Sequence, residues 1–231
     1  MSSILLLHGA LGSQLQLREL QLALEQHGNI TYTLDFSGHC GVPFSPDGFG
    51  IERFSLDVLE FLQERQLTEV NIFGYSMGGY VALWFALQHP ELVGKILTLG
   101  TKFDWSPESA HREVIKLDPE KIAVKVPAFA RILEHRHSPS KWKELLHRTA
   151  DMMTRLGATP LLTEEILRKI NHPVLICLGD RDDMADRDYS LAVSDLLPNG
   201  KFLALAETPH PIEKVACPEL AQIIHSYCSE D

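Results

Sequence analysis

The serine at position 76 stands in the sequence Gly-Tyr-Ser-Met-Gly, between an apolar run and a segment with helical spacing. Gly and Ser are common turn residues, and glycine makes up about 7% of an average protein, so the five-residue pattern alone is weakly specific. Its setting is more informative. A serine on a sharp turn from a strand into a helix exposes its hydroxyl above the sheet, where it can act as a nucleophile. Gly74 and Gly78 would leave room for that turn, so Ser76 is the candidate nucleophile.

A serine hydroxyl needs a general base, and the base needs a carboxylate that orients it. Two of the eleven histidines, His8 and His210, lie where an apolar run ends. Four carboxylates follow another apolar run, in LGDRDDMAD: Asp180, Asp182, Asp183 and Asp186. Taken with His210, these candidates occur in the chain order Ser, Asp, His.

The elements that position these residues can be predicted from the alternation of short and long apolar patterns. Six strands are predicted at 4–8, 31–35, 70–74, 95–99, 173–178 and 202–206. Helices are predicted at 15–27, 51–65, 77–89, 188–197 and 213–227, two of them followed by Pro90 and Pro198. Strands that alternate with helices indicate an α/β fold, with a mostly parallel sheet of about six strands and helices on both faces. Ligands bind beyond the carboxyl ends of such strands.

Residues 101–170 differ from the rest of the chain in charge and pattern. They carry 13 Lys and Arg and 10 Asp and Glu, out of 21 and 31 in the whole chain, so this segment is net positive within a chain of net charge −10. The segment is predicted to be helical almost throughout. We therefore expect a core formed by residues 1–100 and 171–231, with 101–170 inserted as a helical lid.

Two sets of apolar residues in this segment are predicted to form stripes that pack the lid on the core, with some side chains facing a pocket. The first set is Trp142, Leu145, Leu146, Thr149, Met152, Met153 and Leu156, and the second is Ile122, Val126, Phe129 and Leu133.

Composition argues against several other functions. The acidic net charge disfavours nucleic acid as a partner. No apolar run reaches the 18 or so residues of a membrane span, and the start MSSILLLHG lacks a basic region, so neither a membrane partner nor a signal peptide is expected. The four irregularly spaced cysteines predict reduced thiols and a cytoplasmic location. His135 and His137 are two residues apart, which does not align two metal ligands on one helix face. No metal or other cofactor is predicted.

Five motifs in order resemble those of the α/β-hydrolase superfamily, over nearly the whole chain. They are LLLHGALGS for its His-Gly loop, DFSGHCG for the loop after the next strand, GYSMGGYVALWFALQHPELV for its nucleophile elbow and helix, LGDRDD for its acid turn and TPHPIE for its histidine loop. The resemblance implies that Asp182 is the acid and His210 the base, with the N–H groups of Ala10 and Met77 as the oxyanion hole. Asp180 and Asp183 stay as alternative acids. His8 and His39 are expected to have structural roles.

The chain departs from the family pattern at several points. It begins directly at what resembles the third strand, so a reduced amino-terminal part of the sheet is expected. Ser37 stands where the family often has Pro, Cys40 where it often has Gly, and Asp183 where it often has Pro.

The resemblance implies a serine hydrolase that cleaves a carboxylic ester or thioester of a small to medium acyl substrate through an acyl-enzyme. A serine nucleophile excludes the members that use an aspartate, such as dehalogenases and epoxide hydrolases. Two alternatives stay open: a lyase or C–C hydrolase similar to the small menaquinone-pathway synthase, and a ligand-sensing protein that keeps the triad.

Overall fold

The computed structural model describes residues 2–137 and 141–229. Within these ranges the chain forms six strands, β1 Ser3–Leu7, β2 Ile30–Thr33, β3 Val70–Tyr75, β4 Val93–Leu99, β5 Val174–Arg181 and β6 Gly200–Pro209. They make one sheet in the order β2-β1-β3-β4-β5-β6, and every neighbouring pair is parallel. The predicted parallel sheet is confirmed, with strand ends that differ from the prediction by up to three residues.

Ten α-helices surround or follow this sheet in the described ranges. They are α1 Arg18–Gln26, α2 Ile51–Glu64, α3 Met77–Gln88, α4 Pro107–Val114, α5 Pro119–Lys125, α6 Pro127–His137, α7 Trp142–Ala158, α8 Glu164–Leu167, α9 Arg187–Leu196 and α10 Cys217–Ser229. Short 3-10 turns precede α1 and α10, which explains why both helices begin later than their apolar spacing predicts. None of these helices is long and apolar enough to cross a membrane.

Successive side chains of a strand point to opposite faces of the sheet. Helices cover both faces, so the side chains on each face are buried. In β1, Leu5 and Leu7 belong to the buried cluster that includes residues of α2, α3 and α9 on one face of the sheet, whereas Ile4 and Leu6 belong to the cluster that includes residues of α1 and α10 on the other. All four are fully buried. This is why the strands are continuous apolar runs without polar alternation.

Five helices, α4 to α8, lie between β4 and β5, in the segment 101–170. The first predicted stripe is confirmed: its members lie on α7, and all are buried except Met153, which is half-buried. The second stripe is wrong in part. Val126 and Phe129 are 49% and 39% exposed, because α5 ends at Lys125 and Pro127 begins a new helix, which breaks the assumed continuous helical spacing.

Register brings the carboxyl ends of the strands to one edge. Leu7 pairs with Gly74, Tyr75 with Leu99, and Arg181 with Pro209. The residues that come next therefore meet above this edge: His8, Ser76, Gly100, Asp182 and His210.

Candidate active site

Ser76 lies on the turn between β3 and α3, as the sequence predicts. Its backbone has φ 52° and ψ −117°, a conformation that L-residues rarely adopt and that persists only where its surroundings enforce it. The Ser76 N–H donates to the Leu99 carbonyl at 2.8 Å, and the Ser76 carbonyl accepts from the Thr101 hydroxyl at 3.0 Å. These bonds tie the turn to the end of β4.

The glycines on either side of Ser76 permit this turn. A Cβ on Gly74 would overlap the backbone of Gly79, and a Cβ on Gly78 would overlap the Leu7 carbonyl. Strand β3, helix α3 and strand β1 therefore approach one another more closely than any larger residue allows.

Asp182 and His210 form a hydrogen-bonded pair. His210 Nδ1 lies 2.7 Å from Asp182 Oδ2, and the two side chains are 8% and 2% exposed. Asp182 Oδ1 accepts two further bonds from the N–H groups of Met184 and Ala185. Burial alone would raise the pKa of Asp182, but the bond and charge of His210 and the two backbone N–H groups outweigh it and lower that pKa. An ionised Asp182 accepts the proton on Nδ1, which leaves Nε2 of His210 free to act as a base.

The other three candidate carboxylates have other hydrogen-bond partners or face solvent. Asp180 accepts from the Thr208 N–H, Asp186 caps α9 through the Tyr189 N–H, and Asp183 is exposed to solvent. The structure therefore brings Asp182, and none of its three neighbours, to the histidine.

Two residues at the site were not predicted from the sequence. Gly100 has φ +62°, and a Cβ at this position would lie 2.9 Å from Asp182 Oδ2 and 3.2 Å from His210 Nδ1. Tyr75 donates its hydroxyl to the His210 carbonyl at 3.1 Å, and its ring centroid is 5.5 Å from that of His210. The position of Gly100 directly after a strand is a sequence feature that could indicate a site residue. Tyr75 has no such feature, because it resembles any other aromatic residue of a strand.

The turn at residues 9–12 holds the first predicted oxyanion donor, Ala10. Gly9 packs against the candidate nucleophile, since a Cβ on Gly9 would lie 3.2 Å from Ser76 Cβ. The Gly9 carbonyl accepts from His8 Nδ1 at 2.8 Å and from the Gly12 N–H at 3.1 Å. The Gly9 C=O and the Ala10 N–H belong to one trans peptide and therefore point in opposite directions. The bonds to the Gly9 carbonyl thus orient the Ala10 N–H away from His8 Nδ1 and the Gly12 N–H. The Ala10 N–H meets no acceptor in the described part of the chain.

The second predicted donor is the N–H of Met77. Met77 is the first residue of α3, so its N–H has no acceptor within the helix. It also lies at the positive end of the helix dipole, which favours an anion there.

His8 and His39 both lie beneath this edge as buried side chains. His8 Nε2 accepts from the Phe36 N–H at 3.3 Å, so with Nδ1 on the Gly9 carbonyl the ring bridges two loops in its neutral form. Burial lowers the pKa of His8 to about 4. His39 stacks on Phe49, and burial holds its pKa well below the ordinary value. These contacts agree with structural roles for both.

No three His, Cys, Asp or Glu side chains within 2–137 and 141–229 form a group that could hold a metal ion. All four cysteines are free thiols. His137, considered above as a ligand, instead bonds to the backbone of the core.

Comparison with known proteins agrees with this architecture. Residues 3–116 match the family model described as alpha/beta hydrolase fold. A carboxylesterase structure from the thaumarchaeon Nitrososphaera gargenis superposes with a TM-score of 0.76 at 16% identity, covering 98% of this chain and 89% of that one. The chain belongs to the α/β-hydrolase superfamily.

Two curated relatives match about two fifths of this α/β-hydrolase. A probable alcohol acetyltransferase of Cyberlindnera fabianii is 36% identical over 101 residues, which are 42% of this chain and 26% of that protein. The mouse (Mus musculus) sn-1-specific diacylglycerol lipase ABHD11 is 34% identical over 98 residues, which are 42% of this chain and 32% of that protein. The matching segments thus span about a quarter to a third of these relatives.

Proposed function

We propose that this α/β-hydrolase is an enzyme that cleaves a carboxylic ester or thioester of a small to medium acyl substrate through an acyl-enzyme on Ser76. The observation that carries the proposal is the buried 2.7 Å pair of His210 and Asp182 at the strand edge where Ser76 lies. Relatives named as a lipase and an acetyltransferase support an acyl group as the transferred unit.

In this mechanism His210 Nε2 accepts the Ser76 hydroxyl proton while Oγ bonds to the substrate carbonyl carbon. Asp182 holds the imidazole and stabilises its charged form. The N–H groups of Ala10 and Met77 bind the oxyanion, and loss of one such donor typically costs about 3 kcal/mol of transition-state stabilisation. The leaving alcohol or thiol takes the proton from His210. Water then attacks the acyl-enzyme, and the acid departs as Ser76 regains its proton.

We also propose that residues 101–170 form a lid over this site. The support is their position between β4 and β5, and the contacts that they make with the core. Arg155 Nη2 donates to the Phe49 carbonyl at 2.5 Å, and the Leu162 N–H donates to the Tyr80 hydroxyl at 2.9 Å. A cytoplasmic location, supported by the four free thiols, is part of the same proposal.

The test is hydrolysis of p-nitrophenyl acetate, butyrate and octanoate, with the Ser76→Ala variant as the blank. We expect many turnovers by the wild type on at least one ester and none by the variant. Equal rates for both proteins would refute the proposal. A single slow turnover would favour the ligand sensor, and an acylated but non-hydrolysing enzyme that transfers its acyl group to added ethanol would favour an acyltransferase.

A further inference from the structure

The end of helix α6 contacts the turn that carries Ala10. The Leu11 carbonyl accepts two bonds from this helix, one from Arg136 Nη1 at 2.9 Å and one from His137 Nε2 at 2.8 Å. The sequence separation is 126 residues for the second bond, and the His137 side chain is almost fully buried. The segment 101–170 and the candidate oxyanion turn are therefore joined directly.

The other ring nitrogen of His137 is engaged as well. Nδ1 lies 3.1 Å from the Cys40 N–H and accepts its proton, so the ring proton is on Nε2, where it can donate to Leu11. Burial lowers the pKa of His137 to about 4, so the ring is neutral at physiological pH. One side chain thus links the turn after β1 to the loop after β2.

The turn at residues 9–12 needs such support. Leu11 has φ +57°, in the left-handed region, and the Gly12 N–H closes the turn on the Gly9 carbonyl. A turn of this kind usually carries Gly or Asn at the Leu11 position, because a larger residue is strained there. A strained backbone persists only where surrounding bonds hold it. The bonds from Arg136 and His137 to the Leu11 carbonyl hold one side of the turn. The bond from His8 to the Gly9 carbonyl holds the other side.

We propose that His137, aided by Arg136, is a positioning residue for catalysis: it holds the Leu11 carbonyl so that the Ala10 N–H faces the reacting carbonyl oxygen. This inference rests on the proposed hydrolase function. It means that the helical segment contributes to the oxyanion hole as well as covering the site. A displacement of about 1 Å in such a donor can cost up to about 100-fold in rate.

A purely structural role, in which His137 only docks α6 on the core, makes a different prediction. Two substitutions distinguish the positioning role from the purely structural role, because each keeps one of the two hydrogen bonds that the His137 ring makes. In His137→Gln the side-chain amide N–H reaches the place of Nε2 and can still donate to Leu11. In His137→Asn the shorter side chain places its amide oxygen near Nδ1, so the bond from Cys40 survives and the bond to Leu11 is lost.

The experiment measures three quantities for wild type, both variants and the control His147→Asn, which alters an exposed histidine of α7. They are kcat and KM for p-nitrophenyl butyrate, the rate of fluorophosphonate labelling, and hydrogen exchange of the amides of residues 8–13. We expect His137→Asn to lower kcat and the labelling rate by 10- to 100-fold with little change in KM, and to speed exchange of the turn. His137→Gln should stay within about threefold of the wild type.

Equal losses in both variants, a change in KM alone, an unchanged kcat in His137→Asn, or unchanged hydrogen exchange of residues 8–13 in His137→Asn would each overturn the inference. Hydrogen exchange of residues 8–13 reports on the turn whether or not the protein is active. An unlabelled, inactive wild type would therefore refute the proposed function, while unaltered exchange in His137→Asn would refute the positioning role separately.

Discussion

Asp182 is fixed by three bonds, of which only one goes to His210. The other two, from the Met184 and Ala185 N–H groups, hold the carboxylate in place and help lower its pKa. An acid held in this way sets the tautomer of the histidine without itself taking the proton.

Replacing Asp182 by Asn should therefore disable His210, the proposed base. An amide N–H toward Nδ1 of His210 would favour the wrong tautomer, and loss of a triad carboxylate elsewhere lowers kcat by about 10⁴-fold. Asp180→Asn and Asp183→Asn are matched controls, since neither side chain meets the histidine. We expect both to retain kcat within a few-fold on p-nitrophenyl butyrate. Collapse in a control with near-normal activity in Asp182→Asn would contradict the assignment.

The buried histidines predict how stability depends on pH. Burial lowers the pKa of His8 and His137 to about 4, against about 6.5 in an unfolded chain. Between these values the unfolded chain binds protons that the folded chain does not. The free energy of unfolding should therefore fall as pH drops from 6.5 toward 4, by up to about 1.4 kcal/mol per pH unit for each histidine.

Urea unfolding at pH 7.5, 6 and 5 measures this dependence. His137→Gln should be less stable than wild type at pH 7.5, and the difference should narrow as pH falls because one titrating group is gone. His147→Gln, at an exposed position, should keep the wild-type slope. A free energy of unfolding that is constant between pH 6.5 and 5 would contradict the account.

At the scale of elements, the site is made by five strand ends and by the short turns that follow them. Gly100, after β4, lies against both Asp182 and His210. Its positive φ suits glycine, and its missing side chain leaves the space that the pair occupies.

Gly100→Ala should act on activity and stability together. The added Cβ would press on the pair, so kcat should fall, and the φ of +62° should cost about 1 kcal/mol or more in unfolding free energy. Gly28→Ala is the matched control, because Gly28 has φ +83° with nothing within 4 Å of the added Cβ. The control should lose stability through backbone strain yet keep kcat. A loss of kcat in Gly28→Ala equal to that in Gly100→Ala would contradict the steric explanation.

Local patterns predicted the elements well. The six strands, their parallel sheet and the turn at Ser76 follow from apolar runs that end in Gly and polar residues. The split between α5 and α6 was missed, because the apolar spacing runs through Pro127 as if the helix were continuous. The bonds from α6 to Leu11 could not be predicted, since they depend on how the helical segment folds back over more than a hundred residues.

At the scale of the whole molecule, charge is separated between the positive segment 101–170 and the acidic remainder. A groove of about 730 Å³ lies where α6 meets the turn after β1. Its walls include Arg131 and His135. Arg136, also in the lining, forms an ion pair with Glu213 at 3.6 Å, so the net positive charge of the lining comes from Arg131. A cleft lined by one sign of charge raises the association rate of ligands of the opposite sign. The simpler interpretation is that the two parts of the chain only attract each other.

Salt dependence decides between these interpretations. If the groove steers substrates, kcat/KM for the p-nitrophenyl hemiester of glutaric acid should fall several-fold between low and high salt, because ions screen the attraction. The neutral butyrate ester should barely respond. Arg131→Gln should reduce the salt effect, whereas Arg112→Gln, on α4, should not. Parallel responses of both esters would rule out steering.

We propose that Ser76 is a nucleophile activated by His210 and Asp182. The most direct test of this role is labelling with a fluorophosphonate followed by peptide mass mapping. A fluorophosphonate reacts with a serine activated by its base and oxyanion hole, because the adduct resembles the tetrahedral transition state. We predict one adduct, on the peptide that contains Ser76, and none in His210→Ala. Because His210 is buried, circular dichroism must show that this variant is folded. A folded wild type that takes no label, or takes it at another residue, would contradict the account.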